Sequence, residues 1–440
     1  MRSELRRTFG LMLLFVSGTL SAQISVSPYS IFGNGDREPG KFAHQFGMGG
    51  VSAALHDPLQ INIAQPASFS RLKYTTIELG GFYQESQFND GTNTAQTGTG
   101  GFNYLAFGFP LSEDWGLVAG LAPYTKIGYE IETQATLPFS TATVQYFGSG
   151  GYDRAYMGTA YELFDRLSIG VMGSYYFGTA ERTTLAIMDD RNFYSTGQDE
   201  SIRATGFNWE AGMQYTQVWG ADSAQEFTVG ATFSPITELD GTLNDYYYTF
   251  AINGQGNRLP RDTVYNINNE QVNVIFNSSY SFGASYGVRH PRLVQYAWSI
   301  TGDYQMLNRS ELSSSSELRG TFENGFRASV GGQFIPFYAL DLQRSNFFNQ
   351  IDYRIGAFYE NSGLVLNEQV ITDRGFTVGM GIPLSRRTNS AVDIKIASLN
   401  VGMVFGQRGL QEGGNIQENY ARFVVGLTLN DKWFTQFKYR

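Results

Sequence analysis

The stretch Arg166-Leu167-Ser168-Ile169-Gly170-Val171-Met172-Gly173-Ser174-Tyr175-Tyr176-Phe177 decides the fold. Leu167, Ile169, Val171, Tyr175 and Phe177 share one parity, while Arg166, Ser168, Gly170, Met172 and Ser174 share the other. Period two means strand, because successive side chains leave a pleated strand on opposite faces. The alternation returns near the C terminus, with Phe423, Val425, Leu427 and Leu429 set against Arg422, Gly426 and Thr428. The second face is the unusual one, dominated by Gly, Ser, Thr and Asn. A soluble sandwich turns its apolar parity into a core. A membrane barrel turns it outward to lipid and keeps a polar lumen.

Composition narrows the classes. The chain has 440 residues, of which 15% are aromatic and 16% charged, a balance that favours strands over surface helices. A net charge of −9 offers no basic stripe to track phosphates, which excludes a nucleic-acid binder. With no cysteine, disulfides, thiol catalysis, cysteine metal sites and a lipid anchor on an N-terminal Cys all drop out. His44, His56 and His290 are isolated in sequence and lack metal-ligand spacing. There is no G-x-S-x-G elbow, Walker loop or dinucleotide fingerprint. Neither an enzyme, a cofactor nor a metal is expected.

Residues 1–22 read as a secretory signal: Arg2, Arg6 and Arg7 precede a short apolar run from Phe9 to Val16, and Ser21-Ala22 lead to Gln23. No later stretch approaches eighteen apolar residues. An exported, strand-rich chain without helical spans crosses a membrane only as a closed barrel, since lipid satisfies no open sheet edge.

Residues 23–72 lack the alternation and are too broken for a separate core, so they are expected to fold inside something larger. Strands then follow near 73–87, 99–110, 115–130, 141–164, 166–185, 200–219, 225–238, 270–288, 293–307, 324–336, 349–360, 373–382, 392–406 and 418–430. The expected fold is all-β: a transmembrane antiparallel β-barrel of about fourteen strands over 73–440, with an N-terminal hatch (plug) in its lumen. Short turns are expected at Phe164-Asp165-Arg166 and Arg289-His290-Pro291, and long polar loops near 186–199, 239–269 and 308–323. Tyr246, Tyr247 and Tyr248, Phe347 and Phe348, and Trp433 and Phe434 fall near strand ends, where an interfacial aromatic belt would place them.

Pro123 interrupts a strand and removes a ladder hydrogen bond, tolerated only at a bulge, rim or kink. Two readings stand: a wall opening through which an apolar molecule leaves sideways, or a strand that ends there. Gly148, Gly150 and Gly151 in the next strand add to the case for a local distortion.

Phe46-Gly47-Met48-Gly49-Gly50-Val51-Ser52, the bend His56-Asp57-Pro58 and then Gln65-Pro66-Ala67-Ser68-Phe69 resemble the plug of FadL-type outer membrane transporters. Ser27-Pro28-Tyr29-Ser30, Tyr353-Arg354-Ile355-Gly356, Phe376 to Pro383, Phe405 to Gly409, and Glu418-Asn419-Tyr420 with Asp431 to Phe434 resemble the version found in Bacteroidetes-type Gram-negative bacteria. The resemblance implies a fourteen-stranded barrel in the cell outer membrane, in contact with membrane lipid and lipopolysaccharide. It implies uptake of hydrophobic small molecules such as long-chain fatty acids, by hatch movement and lateral release. Gly47, Met48, Gly49, Gly50, Gln65, Pro66 and Ala67 then belong to the hatch motif, with Gln65 standing where the family has Asn. Arg37, Lys41 and Arg71 read as solvated charges beside it. Related barrels also partner secretion and assembly machines, so the alternative is a non-transporting scaffold or accessory subunit with an envelope protein partner.

Overall fold

A computed structural model describes residues 27–431, apart from 139, 191, 221–223, 254, 256, 290–295, 310–320, 337–346, 385–395 and 412–413. Its wall runs β1 (Thr75–Asn89), β2 (Thr94–Pro110), β3 (Trp115–Lys126 continuing as Tyr129–Thr136), β4 (Thr141–Leu163), β5 (Leu167–Met188), β6 (Ser195–Trp219) and β7 (Gln225–Ser234 continuing as Thr237–Ile252). It goes on through β8 (Arg258–Phe276 continuing as Ser279–Arg289), β9 (Tyr296–Leu307), β10 (Thr321–Phe322 continuing as Gly325–Phe334), β11 (Asp352–Leu366), β12 (Gln369–Pro383), β13 (Ile396–Arg408) and β14 (Gln417–Asp431). The two pieces of each broken strand share a neighbour, so a break interrupts a strand without adding one. Consecutive strands pair antiparallel, and β14 pairs with β1 from Gln417↔Asn89 to Asp431↔Thr75. The result is a closed fourteen-stranded barrel, as the alternation predicts.

The parity points as expected. On β5, Ile169, Val171 and Tyr175 are 46–49% exposed on the outside, while Ser168, Met172 and Ser174 are fully buried on the inside. Only a surrounding apolar solvent rewards that arrangement.

Two expected loops are strand. The segments 186–199 and 239–269 are largely occupied by β5, β6, β7 and β8, which turn tightly instead. β4, β5 and β6 hold 23, 22 and 25 residues, where a bilayer crossing needs roughly 9–11. One side of the barrel therefore rises as a crest well beyond the membrane. From Arg258 to Gln271 nearly every residue is exposed whichever way it points. Water wets both faces there, which erases the apolar parity and makes the sequence look like a loop. The turn at Phe164-Asp165 is present, with both residues at positive φ. His290, Trp433, Phe434, the signal segment and most of 308–323 lie outside the described residues.

Apart from the two-residue strand Asp36–Arg37, residues 27–74 contribute no strand to the ring. They form short helical turns at Pro28–Ile31, Ala43–Phe46 and Pro66–Arg71, and Phe42, Met48, Val51, Ile61, Ile63 and Phe69 are completely buried. Their backbone lies directly on wall glycines: Phe69 against Gly116 of β3, Pro66 against Gly170 of β5, Ala53 against Gly230 of β7, Met48 against Gly331 of β10, and Ala43 against Gly402 of β13. A Cβ at any of these five glycines would overlap that backbone. Contacts on strands from every quarter of a closed ring place the segment inside it. The glycine-rich parity thus faces packed chain, because only glycine lets two backbones approach so closely.

Candidate functional site

The wall is irregular where β2 meets β3. The β2–β3 ladder runs only from Pro110↔Gly116 to Leu105↔Leu121. Beyond it, among the wall strands, β2 pairs only with β1, and β3 only with β4 on its far side. Pro123 stands two residues past the last pair, at a register shift between Pro123 and Thr125. Gly150 and Gly151 lie opposite at φ +94° and +136°, where Ile127 N donates to Gly150 O at 2.8 Å. Gly148 lies against the Tyr129 ring. Pro123, Gly150 and Gly151 thus meet at one distortion, and the strand resumes beyond it at Tyr129.

Among the described residues, the inner segment is what pairs with the vacated edge of β3. Asp36 pairs with Lys126 and Arg37 with Thr125. Glu38 N donates to Tyr124 O at 2.8 Å, and Ser27 N to Gly128 O at 2.9 Å. Charge holds this bridge. Glu38 lies 2.7 Å from Arg422 and 3.3 Å from Lys126; Asp36 lies 2.9 Å from Arg408. Burial alone would raise the Glu38 carboxyl, but Arg422 and Lys126 hold it down at about 2. Removing one partner of such a pair costs about 3–5 kcal/mol, because the other is left buried and uncompensated.

Deeper in, the motif residues do structural work. Gly49 and Gly50 take positive φ, and Gly49 N donates to Thr377 Oγ1 at 2.8 Å. Gln65 accepts from Ala67 N at 3.2 Å, capping the turn that Pro66 and Ala67 open. Its amide also donates to Ala53 O at 2.6 Å. Gln65 thus supplies the cap of this turn. Asp303 accepts from Ala53 N at 2.8 Å and from Ser52. Arg37, Lys41 and Arg71 are not free surface charges. Arg37 sits over Tyr124, Lys41 bonds Ser52, and Arg71 pairs with Glu162 at 2.9 Å. Burial pushes the Lys41 amine down to about 8 against the pull of Asp303. Sequence reading missed Asp36 and Glu38 with their strand partners Arg408 and Arg422. The available signal was arginine at an inward parity.

His44 is buried with Nδ1 lacking a partner. Burial, then repulsion by Arg354, pushes its pKa well down. An undocked segment would take up a proton below about pH 6.5 that the docked one refuses, so docking weakens as pH falls through that value. Protease sensitivity of residues 27–74 should rise from pH 8 to pH 5 in intact barrels, and His44→Gln should flatten the slope.

Two cavities, of about 100 and 120 Å³, flank Asp36 and Arg37 and share Glu360, Asp373 and Arg408. Ligand clefts usually measure roughly 300–1,000 Å³, so neither of these two cavities as it stands holds a large solute. Among the described residues no cluster of three His, Cys, Asp or Glu could hold a metal.

A closed barrel of fourteen strands packed around its own N-terminal segment has the architecture of FadL-type channels. Solved structures with this fold include the monoaromatic hydrocarbon channel CymD (14% identity, 91% of this chain and 99% of that one, TM-score 0.56). The P. putida toluene transporter TodX (15%, 90% and 100%, 0.55) and the Ralstonia pickettii toluene transporter TbuX (12%, 92% and 100%, 0.56) are also similar. The BamG family model matches residues 5–440, and the chain belongs to the BamG family. No curated protein matches the sequence.

Proposed function

We propose that this chain is an outer membrane channel, without catalytic activity, that takes up hydrophobic small molecules of the fatty-acid kind and releases them sideways between β2 and β3. The observation that carries this is the interrupted β2–β3 ladder, with the edge of β3 held by a two-residue piece of the inner segment and not by wall. Residues 27–74 then act as a hatch: withdrawing Asp36 to Glu38 frees the edge of β3 and merges the small cavities on either side. A greasy solute gains from leaving straight into lipid, since its apolar surface never meets water. CymD, TodX and TbuX, named for hydrocarbons or toluene, share the fold. Lipid and lipopolysaccharide would contact the outer face, in a membrane of the kind the sequence resemblance assigns to Bacteroidetes-type bacteria.

A second reading is favoured by the lock itself. Ion pairs hold the segment shut over cavities lined with charge, which suits a barrel acting as an accessory subunit of an envelope assembly or secretion complex. Purification in mild detergent separates the two. Transport predicts a bound lipid-like molecule and no partner; a stoichiometric protein partner with an empty barrel would overturn it.

A further inference from the structure

The first of the two cavities is lined by three acids and three arginines, and Arg327 reaches one of those acids from outside it. Its acids are satisfied: Asp36 by Arg408 at 2.9 Å, Glu360 by Arg327 at 2.7 Å, and Asp373 by the Tyr420 hydroxyl at 3.0 Å with Arg408 3.7 Å away. Two guanidiniums remain, Arg37 from the inner segment and Arg309 just past β9, and both line the cavity. Among the described residues neither makes an ion pair or a hydrogen bond. Arg37 has only the Tyr124 ring, 5.6 Å from its guanidinium carbon. Burial pushes the Arg309 pKa down; Glu360 opposes the shift and the like charge of Arg37 adds to it. Asn277 lines the same space, with a buried side-chain oxygen that has no partner. Turned over, that amide would present a donor, since the two ends of an asparagine amide are assigned only from their bonding.

Two cations and an adjustable amide around a small space match a doubly charged oxyanion. Phosphate monoesters carry about −1.5 to −2 charges at neutral pH, and guanidinium forks bond such oxygens two at a time. We propose that Arg37 and Arg309 form a phosphate site, taking free phosphate or the monoester headgroup of a lipid, and that filling it braces the Asp36–Arg37 bridge against β3. At about 100 Å³ the cavity admits a headgroup and not an acyl chain. The site is independent of transport, because a scaffold barrel would hold the same anion.

The test uses the full-length protein in detergent, its barrel verified by heat-modifiable migration. Inorganic phosphate and a phosphatidate in mixed micelles are titrated separately by calorimetry. Binding of free phosphate that competes with phosphatidate supports a free-anion site; binding of phosphatidate alone supports a headgroup site. Arg37→Gln and Arg309→Gln should each weaken binding at least tenfold. Arg374→Gln, an exposed arginine bonded to Gln407 outside the cavity, should change nothing. Wild-type protein that binds neither ligand at millimolar concentration overturns the site, as does Arg309→Gln binding as tightly as wild type. Should Arg309→Gln fail to fold, Arg309→Lys should bind at reduced affinity, and unchanged affinity there would also overturn the site.

Discussion

Oxidising an Arg37→Cys, Thr125→Cys double variant should abolish uptake of a hydrophobic solute, and reduction should restore it. Residues 37 and 125 are ladder partners across the seam. Opposed antiparallel residues stand about 4.5–5.5 Å apart at Cα, within disulfide range. The native chain contains no cysteine, so no competing bridge can form. Comparing oxidised with reduced protein cancels the loss of the Arg37 side chain and isolates the covalent tie. In liposomes loaded through the reconstituted barrel, the expected drop is at least tenfold. Equal uptake in both redox states would remove the seam from the route. A variant tying two wall strands, Gly241→Cys with Val272→Cys on paired positions of β7 and β8, should leave uptake unchanged.

Removing residues 27–72 should raise passive permeability to small polar solutes by orders of magnitude in a correctly inserted barrel. The six completely buried apolar side chains named above belong to that segment, and its backbone covers wall glycines around the ring. Emptying that volume leaves a lumen lined by glycine and small polar side chains, which fills with water. A gentler version keeps the chain length: Gly230→Val places a branched side chain where Ala53 now lies. It should displace the segment locally and give a smaller increase. Solute swelling assays on liposomes measure both. Impermeable vesicles containing folded, deleted barrel would mean that the segment does not seal the pore.

Much of this was legible in the sequence for a specific reason. Each membrane-embedded strand has lipid on one side and packed chain on the other, so the contrast between Ile169 and Gly170 is written at every step. Where that contrast ends, legibility ends: from Arg258 to Gln271 both faces meet water, and strand reads as loop. Pro123 was visible as an interruption because proline removes a donor whatever surrounds it. That Asp36 and Arg37 lie against the residues just beyond Pro123 was not visible, since the pairing spans some ninety residues and two residues of strand carry no periodicity. The charged lock was hidden similarly. Arg408 and Arg422 are ordinary inward residues until Asp36 and Glu38, more than three hundred positions earlier, are placed beside them.

Those separations bear on how the molecule is built. Gly49 bonds Thr377 across 328 positions, and Glu38 bonds Arg422 across 384. The inner segment therefore finds part of its partners only after the last strands have been laid down. Until β12 to β14 arrive, Glu38 lacks Arg422, Asp36 lacks Arg408, and Gly49 lacks its hydroxyl. Long closures of this kind gain nothing until they are complete, so seating the segment and closing β14 onto β1 should occur as one late, all-or-none event. A truncated barrel would carry a loose N terminus, exposed to proteases. The segment then doubles as an inspection mark, set only on rings that have been finished.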